Sequence, residues 1–245
     1  FATLHKRGQH IERRVVQSDP TYAAMVENLD TNIGRLLDAL ADTGLADDTL
    51  VIFTSDNGGL ATSEGSPTCN APLSEGKGWT RDGGIREPMI IRWPGQVPAN
   101  TTTATPITTP DLLPTLLDIA DTQPPDDPRL DGVSLAGLLR DPSSTDLADR
   151  PIYWHYPHYS NQGDRPSSAI RVGRWKLIEH HETGALQLFD LDADVGETEN
   201  LADRESDRAA EMRQQLADWR DRIDATMPTP NPNWTDDWIA STGDA

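Results

Sequence analysis

One stretch constrains this chain more than any other: "LVIFTSDNGG", residues 50–59. Four apolar residues, Leu50 to Phe53, precede Thr54 and Ser55 and then stop at an acid, an amide and two glycines. A short apolar run of this kind reads as a strand covered on both faces, the pattern of a parallel sheet in an α/β protein. Whatever follows such a strand sits at its carboxyl end, where open α/β sheets bind ligands. Asp56 and Asn57 therefore occupy a position where a site is expected, although Asp-Asn-Gly-Gly is also ordinary turn chemistry.

The flanking sequence supports the α/β reading. Tyr22, Met25, Val26, Leu29, Ile33, Leu36, Leu37 and Leu40 recur at helical spacing, with Asp19 as N-cap, Pro20 at the first position and Gly44 as stop. A second buried strand, "MIIRW", covers residues 89–93 and closes at Pro94-Gly95. Residues 55–88 between the strands are glycine-rich and aperiodic, longer than an ordinary connection and so marked for function. "TPDLLPTLLDIA", residues 109–120, reads as a helix capped by Thr109 with Pro110 at its first position, and Leu135 to Leu139 as a shorter one.

Beyond the Pro-rich "QPPDDPR" the pattern changes. "PIYWHY", "SSAIRVG", "RWKLIEHH" and "ALQLFDLD" are short segments joined by turn residues, which predicts an antiparallel sheet of three or four strands. A last amphipathic helix carries Ala209, Met212, Leu216, Trp219 and Ile223 on one face. The expected organisation is an α/β part over residues 1–145, an antiparallel part with its final helix over 146–227, and a Pro- and Asp-rich tail over 228–245. The locally basic opening, "HKRGQHIERRVV", reads as a solvated helix or loop.

Charge narrows the partners. Forty acidic against 21 basic residues give a formal charge of −19, which argues against nucleic acid, whose phosphates need Lys and Arg surfaces. The same field repels anionic substrates at long range, so any anion site must be built locally. No apolar run is long enough to span a bilayer. Cys69 is the single cysteine, so no intrachain disulfide is available.

A carboxylate beside a carboxamide supplies two hard oxygen ligands, suited to Ca²⁺ or Mg²⁺ rather than zinc. Lys77, in "GKGW", is flanked by glycines that let backbone approach a ligand closely, and its ammonium is a point charge for an anionic oxygen. "FTSDNGG" followed by "PTCNAPLSEGKGWTRDGGIREPMIIRWPG" resembles the C-terminal part of the type I sulfatase family, formylglycine-dependent members of the alkaline phosphatase superfamily. The helix and strand from Asp19 to Gly58 resemble the elements that precede the family's metal pair. The segment from Trp154 to Ala202 resembles the C-terminal subdomain of bacterial sulfatases acting on sulfated sugars.

The resemblance implies an alkaline-phosphatase-like sheet sandwiched by helices, followed by a small antiparallel subdomain. It implies hydrolysis of sulfate esters on a sulfated sugar or an aryl sulfate, with Asp56 and Asn57 ligating calcium and Lys77 binding the sulfate. Arg81 and Arg86 are candidate helpers, with pairing to a carboxylate such as Glu87 as the structural alternative. His155 and His158 either contact the sugar or pack among Tyr153, Trp154 and Tyr156. The family also implies a periplasmic or secreted protein.

The family's formylglycine comes from a Cys/Ser-x-Pro-x-Arg motif, and this sequence has none: Cys69 is followed by Asn70, Ala71, Pro72 and Leu73. The N-terminal Asp-Asp metal pair is missing too. The expectation is a C-terminal portion that is inactive alone, binds calcium poorly, and leaves apolar faces uncovered. Two alternatives stand beside it: a phosphate or phosphonate monoester hydrolase of the same superfamily, and a non-catalytic module for polyanionic glycans.

Overall fold

In a computed structural model the described residues are 2–6, 9–123, 125 and 130–232, with side chains from Glu12 onward. The tail beyond residue 232 and most of the Pro-rich linker lie outside them. The chain opens with a hairpin, β1 (Ala2–Lys6) against β2 (Gln9–Arg13), where a helix or loop was expected. Helix α1 (Pro20–Asp42) then begins as its sequence dictates: the Asp19 carboxylate accepts the Thr21 and Tyr22 amides at 2.9 and 3.0 Å. It ends in a Schellman motif. Gly44 takes φ +71°, the Leu45 amide reaches back to the Leu40 carbonyl and the Gly44 amide to that of Ala41.

Strand β3 (Val51–Thr54) leads to the candidate site, a short helix α2 (Asp82–Ile85) follows, and β4 (Met89–Arg92) returns beside β3. The pairing is antiparallel, with Thr54 opposite Met89 and Val51 opposite Arg92. Neither strand is covered on both faces among the described residues: β3 is half-buried throughout, and Ile90 is 61% exposed. An apolar run records that a strand is destined for an interior, but not the direction of its neighbour. That is a long-range property.

A 3₁₀ turn (Thr109–Asp111) feeds α3 (Leu112–Ile119), and the cap is Thr108 rather than Thr109, in a reciprocal capping box with Asp111. The buried Asp111 carboxylate also takes a bidentate pair from Arg150, at 2.9 and 2.6 Å, and the Val133 amide. Helix α4 (Ala136–Arg140) completes this part.

The remainder is a meander of β5 (Ile152–Tyr156), β6 (Ser167–Val172), β7 (Trp175–His180) and β8 (Leu186–Asp190), each antiparallel to the next. Strand periodicity sorts its residues onto two faces. On one face Ile170, Leu177 and Leu188, all fully buried, pack against Ala209, Met212, Leu216 and Trp219 of α5 (Ser206–Arg222). Tyr153 stacks on Trp219 with ring centroids 4.8 Å apart. The other face carries Ala169, Ile178 and Phe189, backed by Trp154 and Leu191, and it looks toward the glycine-rich segment.

Candidate active site at the paired ends of β3 and β4

The Thr54–Met89 pair closes the β3–β4 ladder, so Asp56 and Asn57 leave it where Glu87 and Pro88 enter. Asp56 is exposed and Asn57 half-buried. Lys77, 20 residues further on, is drawn to the same loop cluster by glycine packing. The Gly58 amide donates to the Gly84 carbonyl at 3.0 Å, and the Lys77 amide donates to the Gly59 carbonyl at 3.1 Å. A methyl group on Gly58 would lie 1.8 Å from the Gly83 oxygen, and one on Gly76 would lie 2.3 Å from the Gly59 oxygen. The glycines beside Lys77 thus admit the protein's own groups, the Gly59 backbone at Gly76 and the Ser160 and Gln162 side chains at Gly78, which differs from the ligand approach expected of them. The Lys77 side chain is exposed and makes no ion pair among the described residues.

Just after Lys77 the loop is fastened to the connection between β5 and β6. The Trp79 indole donates to the Gln162 carbonyl at 2.9 Å, and Asp164 accepts the Thr80 amide at 3.0 Å. Below, Lys176 on β7 is wholly buried and its Nζ lies 2.7 Å from Asp82 Oδ1 and 2.8 Å from Glu197 Oε1. Glu197 Oε2 in turn accepts the Asp82 amide and the Ser74 hydroxyl, at 2.8 and 2.7 Å. These groups were not legible beforehand. Their one signal is a lysine at an inward position of the alternating "WKLIEH".

Arg81 and Arg86 do not pair with Glu87. Arg81 donates to the Glu197 carbonyl and Gln187 and lies 4.5 Å over the Phe189 ring, while Arg86 faces Asp82 at 3.5 Å. Glu87 instead stands beside Asp56: burial, and then that carboxylate, push its pKa up to about 7. Its Oε1 is buried without a hydrogen-bond partner among the described residues. Two carboxylates at one strand end supply oxygens of the kind a hard cation takes. Asp56 and Asn57 fit a divalent cation in donor type but not in number, since calcium takes six to eight oxygens. Among the described residues no group of three or more His, Cys, Asp or Glu is arranged to hold a metal.

The two candidate histidines lie on β5 and just after it. His155 shares the α5 face of the sheet with its strand partner Ser168, and both of its nitrogens are engaged, Nδ1 with Ser168 Oγ at 2.8 Å and Nε2 with the Thr226 carbonyl at 2.9 Å. His158 is exposed and meets Tyr156 edge-on. The segment that follows His158 does meet the loop of Lys77, where Ser160 and Gln162 pack against Gly78. No helix among the described residues is long and apolar enough to cross a membrane.

Comparison with known proteins agrees with this arrangement. Residues 2–122 match the sulfatase family model, and residues 76–222 match the model described as N-sulphoglucosamine sulphohydrolase, C-terminal. A sulfatase of Formosa agariphila is 35% identical over 236 residues, covering 88% of this chain and 42% of that protein. The structure of Ps i-CgsB in complex with k-i-k-neocarrahexaose superposes with a TM-score of 0.72 at 30% identity, covering 91% of this chain and 47% of that one. BT4656, solved with its substrate D-glucosamine-2-N,6-O-disulfate, gives 0.71 at 27% identity, covering 84% and 41%. The phosphonate monoester hydrolase of Agrobacterium radiobacter gives 0.63 at 25% identity, covering 82% and 41%. The chain thus spans less than half the length of the relatives it matches. It belongs to the sulfatase family and corresponds to the C-terminal portion.

Proposed function

We propose that the whole protein hydrolyses sulfate esters carried on sulfated glycans, and that this chain supplies part of the anion and metal site. The observation that carries the reading is the glycine-to-glycine packing that draws Lys77, which makes no ion pair among the described residues, to the strand end bearing Asp56 and Asn57. An ammonium there holds one sulfate oxygen and offsets the charge that builds on the group as the ester bond breaks. Asp56 and Asn57 would hold calcium, whose double charge polarises the sulfate. The nucleophile that family membership implies, a formylglycine, belongs to a motif outside this sequence. Glycan substrates are favoured because the matched structures include one solved with a disulfated glucosamine as substrate.

A second reading, phosphonate or phosphate monoester hydrolysis, draws on the phosphonate hydrolase among the matched structures. One comparison decides between them: the full-length protein with 4-nitrophenyl sulfate and with 4-nitrophenyl phosphate. Faster sulfate turnover is expected, reduced at least about 100-fold in Lys77→Ala, the scale of losing one electrostatic donor to the transition state. Faster phosphate cleavage, or a Lys77→Ala variant with wild-type kcat/KM, defeats the reading.

A further inference from the structure

A cavity of about 390 Å³ lies between β4, residues 97–107, α4 and the β5–β6 edge. That is the size of a small-ligand pocket. Its walls are unequal. Leu138, Leu139, Ile152 and Trp154 supply an apolar side, and the threonine-rich segment 101–105 supplies hydroxyls. Its charged groups are Arg86, Arg171, Asp82 and Glu87.

These four are not evenly mixed. Glu87 has Asp56 as its charged neighbour, which sets one part of the wall beside the candidate site. Asp82 is already shared by Lys176 at 2.7 Å and Arg86 at 3.5 Å. Arg171 is therefore left without a carboxylate of its own. It sits on β6 opposite Ile152, donates Nε to the Gly173 carbonyl at 2.9 Å, and makes no ion pair among the described residues. Its charged neighbours are Asp82, then Arg86, and more weakly Asp192. Two guanidiniums that share one committed carboxylate form a cationic corner in a protein of charge −19. A half-buried guanidinium presents a planar fork of N–H donors that can hold two oxygens of a tetrahedral sulfate.

Building on the proposed glycan sulfate hydrolysis, we propose that this cavity is an accessory subsite for a second sulfate of the substrate. Arg171 and Arg86 grip that sulfate while the sugar ring lies against Trp154 and the sulfate to be cleaved reaches Lys77. The sulfate held by the arginines is bound, not hydrolysed. Selection for multiply sulfated sugars follows, because a singly sulfated sugar leaves the arginine corner empty.

The test is calorimetric binding to the full-length protein, kept in chelator so that turnover does not intrude. The probes are D-glucosamine 2-N,6-O-disulfate and D-glucosamine 6-O-sulfate. Both carry the 6-O-sulfate, so any loss common to the two cancels in their ratio. Wild type is expected to prefer the disulfated probe by at least about tenfold, the worth of one charge-assisted contact. Arg171→Gln should reduce the preference to less than about twofold, and Arg171→Lys should restore part of it. Thr103→Glu changes an exposed residue, so it tests the corner without disturbing the sheet, and it should weaken the preference by like-charge repulsion. Melting curves show that each variant is folded. A wild-type protein with no preference, or folded Arg171→Gln and Thr103→Glu variants that keep it, overturns the subsite. Separately, failure of wild type with metal to cleave 4-nitrophenyl sulfate defeats the hydrolytic reading, and the binding ratio still decides the cavity.

Discussion

The β5–β8 sheet with α5 and the α1–β3–β4 region are made of similar residues and end in opposite conditions. In the first, Ile170, Leu177, Leu188 and Leu216 are fully buried and the strands pair in chain order. In the second, α1 buries no residue: Met25, Val26, Leu29 and Leu36 are between 48% and 68% exposed. A meander completes its pairing with neighbours in sequence and needs one helix to cover a face. Helix α1 has its apolar face largely uncovered among the described residues, with only Tyr22, Ile33 and Leu40 of that face half-buried. The same amphipathic periodicity therefore signals a filled core in one place and an open face in the other.

The contrast can be broken or sharpened by substitution. The largest effect is expected at Lys176, where the small sheet is fastened to the loop of Lys77. Lys176→Met leaves Asp82 and Glu197 buried without their cation, and stability should fall by about 3–5 kcal/mol in urea unfolding. A loss under 1 kcal/mol would show that the two regions hold together without it. Next, Leu216→Ala opens a cavity under α5 and should cost about 2–5 kcal/mol.

A smaller effect is expected from acid. Burial holds the His180 imidazole below its ordinary value of 6.5, with the Gln187 hydrogen bond opposing. His181 is lowered in the same direction by burial, then by Arg220 and His155. The sign follows from linkage: between the lowered folded value and 6.5 the unfolded chain binds more protons, so stability is full above 6.5 and declines as pH falls below it. Unfolding curves from pH 7.5 to 5 should show a decline that His180→Gln makes shallower; parallel profiles would rule out this coupling. The smallest effect belongs to α1, where Leu36→Lys should change stability by no more than about 0.5 kcal/mol while reducing self-association in ultracentrifugation. A large loss there would mean that the apolar face is covered in the folded protein.

The candidate site was legible in part. Asp56, Asn57 and Lys77 could be singled out because an apolar run ending in Asx-Gly-Gly is a local signal, and so is a lysine between glycines. Glu87 beside Asp56, Lys176 beneath Asp82, and Arg171 in the cavity were not, because each depends on which strand end or sheet face meets another. His155 was left between two readings. Its aromatic neighbourhood drew attention, but a period of two sets it on the α5 face, where Ser168 and Thr226 hold both nitrogens.

By itself the sequence determined the elements whose causes are local: the cap at Asp19, the stop at Gly44, a run of three or four short antiparallel strands and the α5 stripe. It also held the ordered motif block that carries the family. Only the tertiary structure decided that β3 and β4 run antiparallel, that the glycines flanking Lys77 are filled by the protein's own groups, and that Arg171 faces a cavity without a carboxylate partner among the described residues. Capping and periodicity act over a few residues and are written in order along the chain. Strand direction, face and charge pairing are set by contacts between segments tens of residues apart, which no short window of sequence contains.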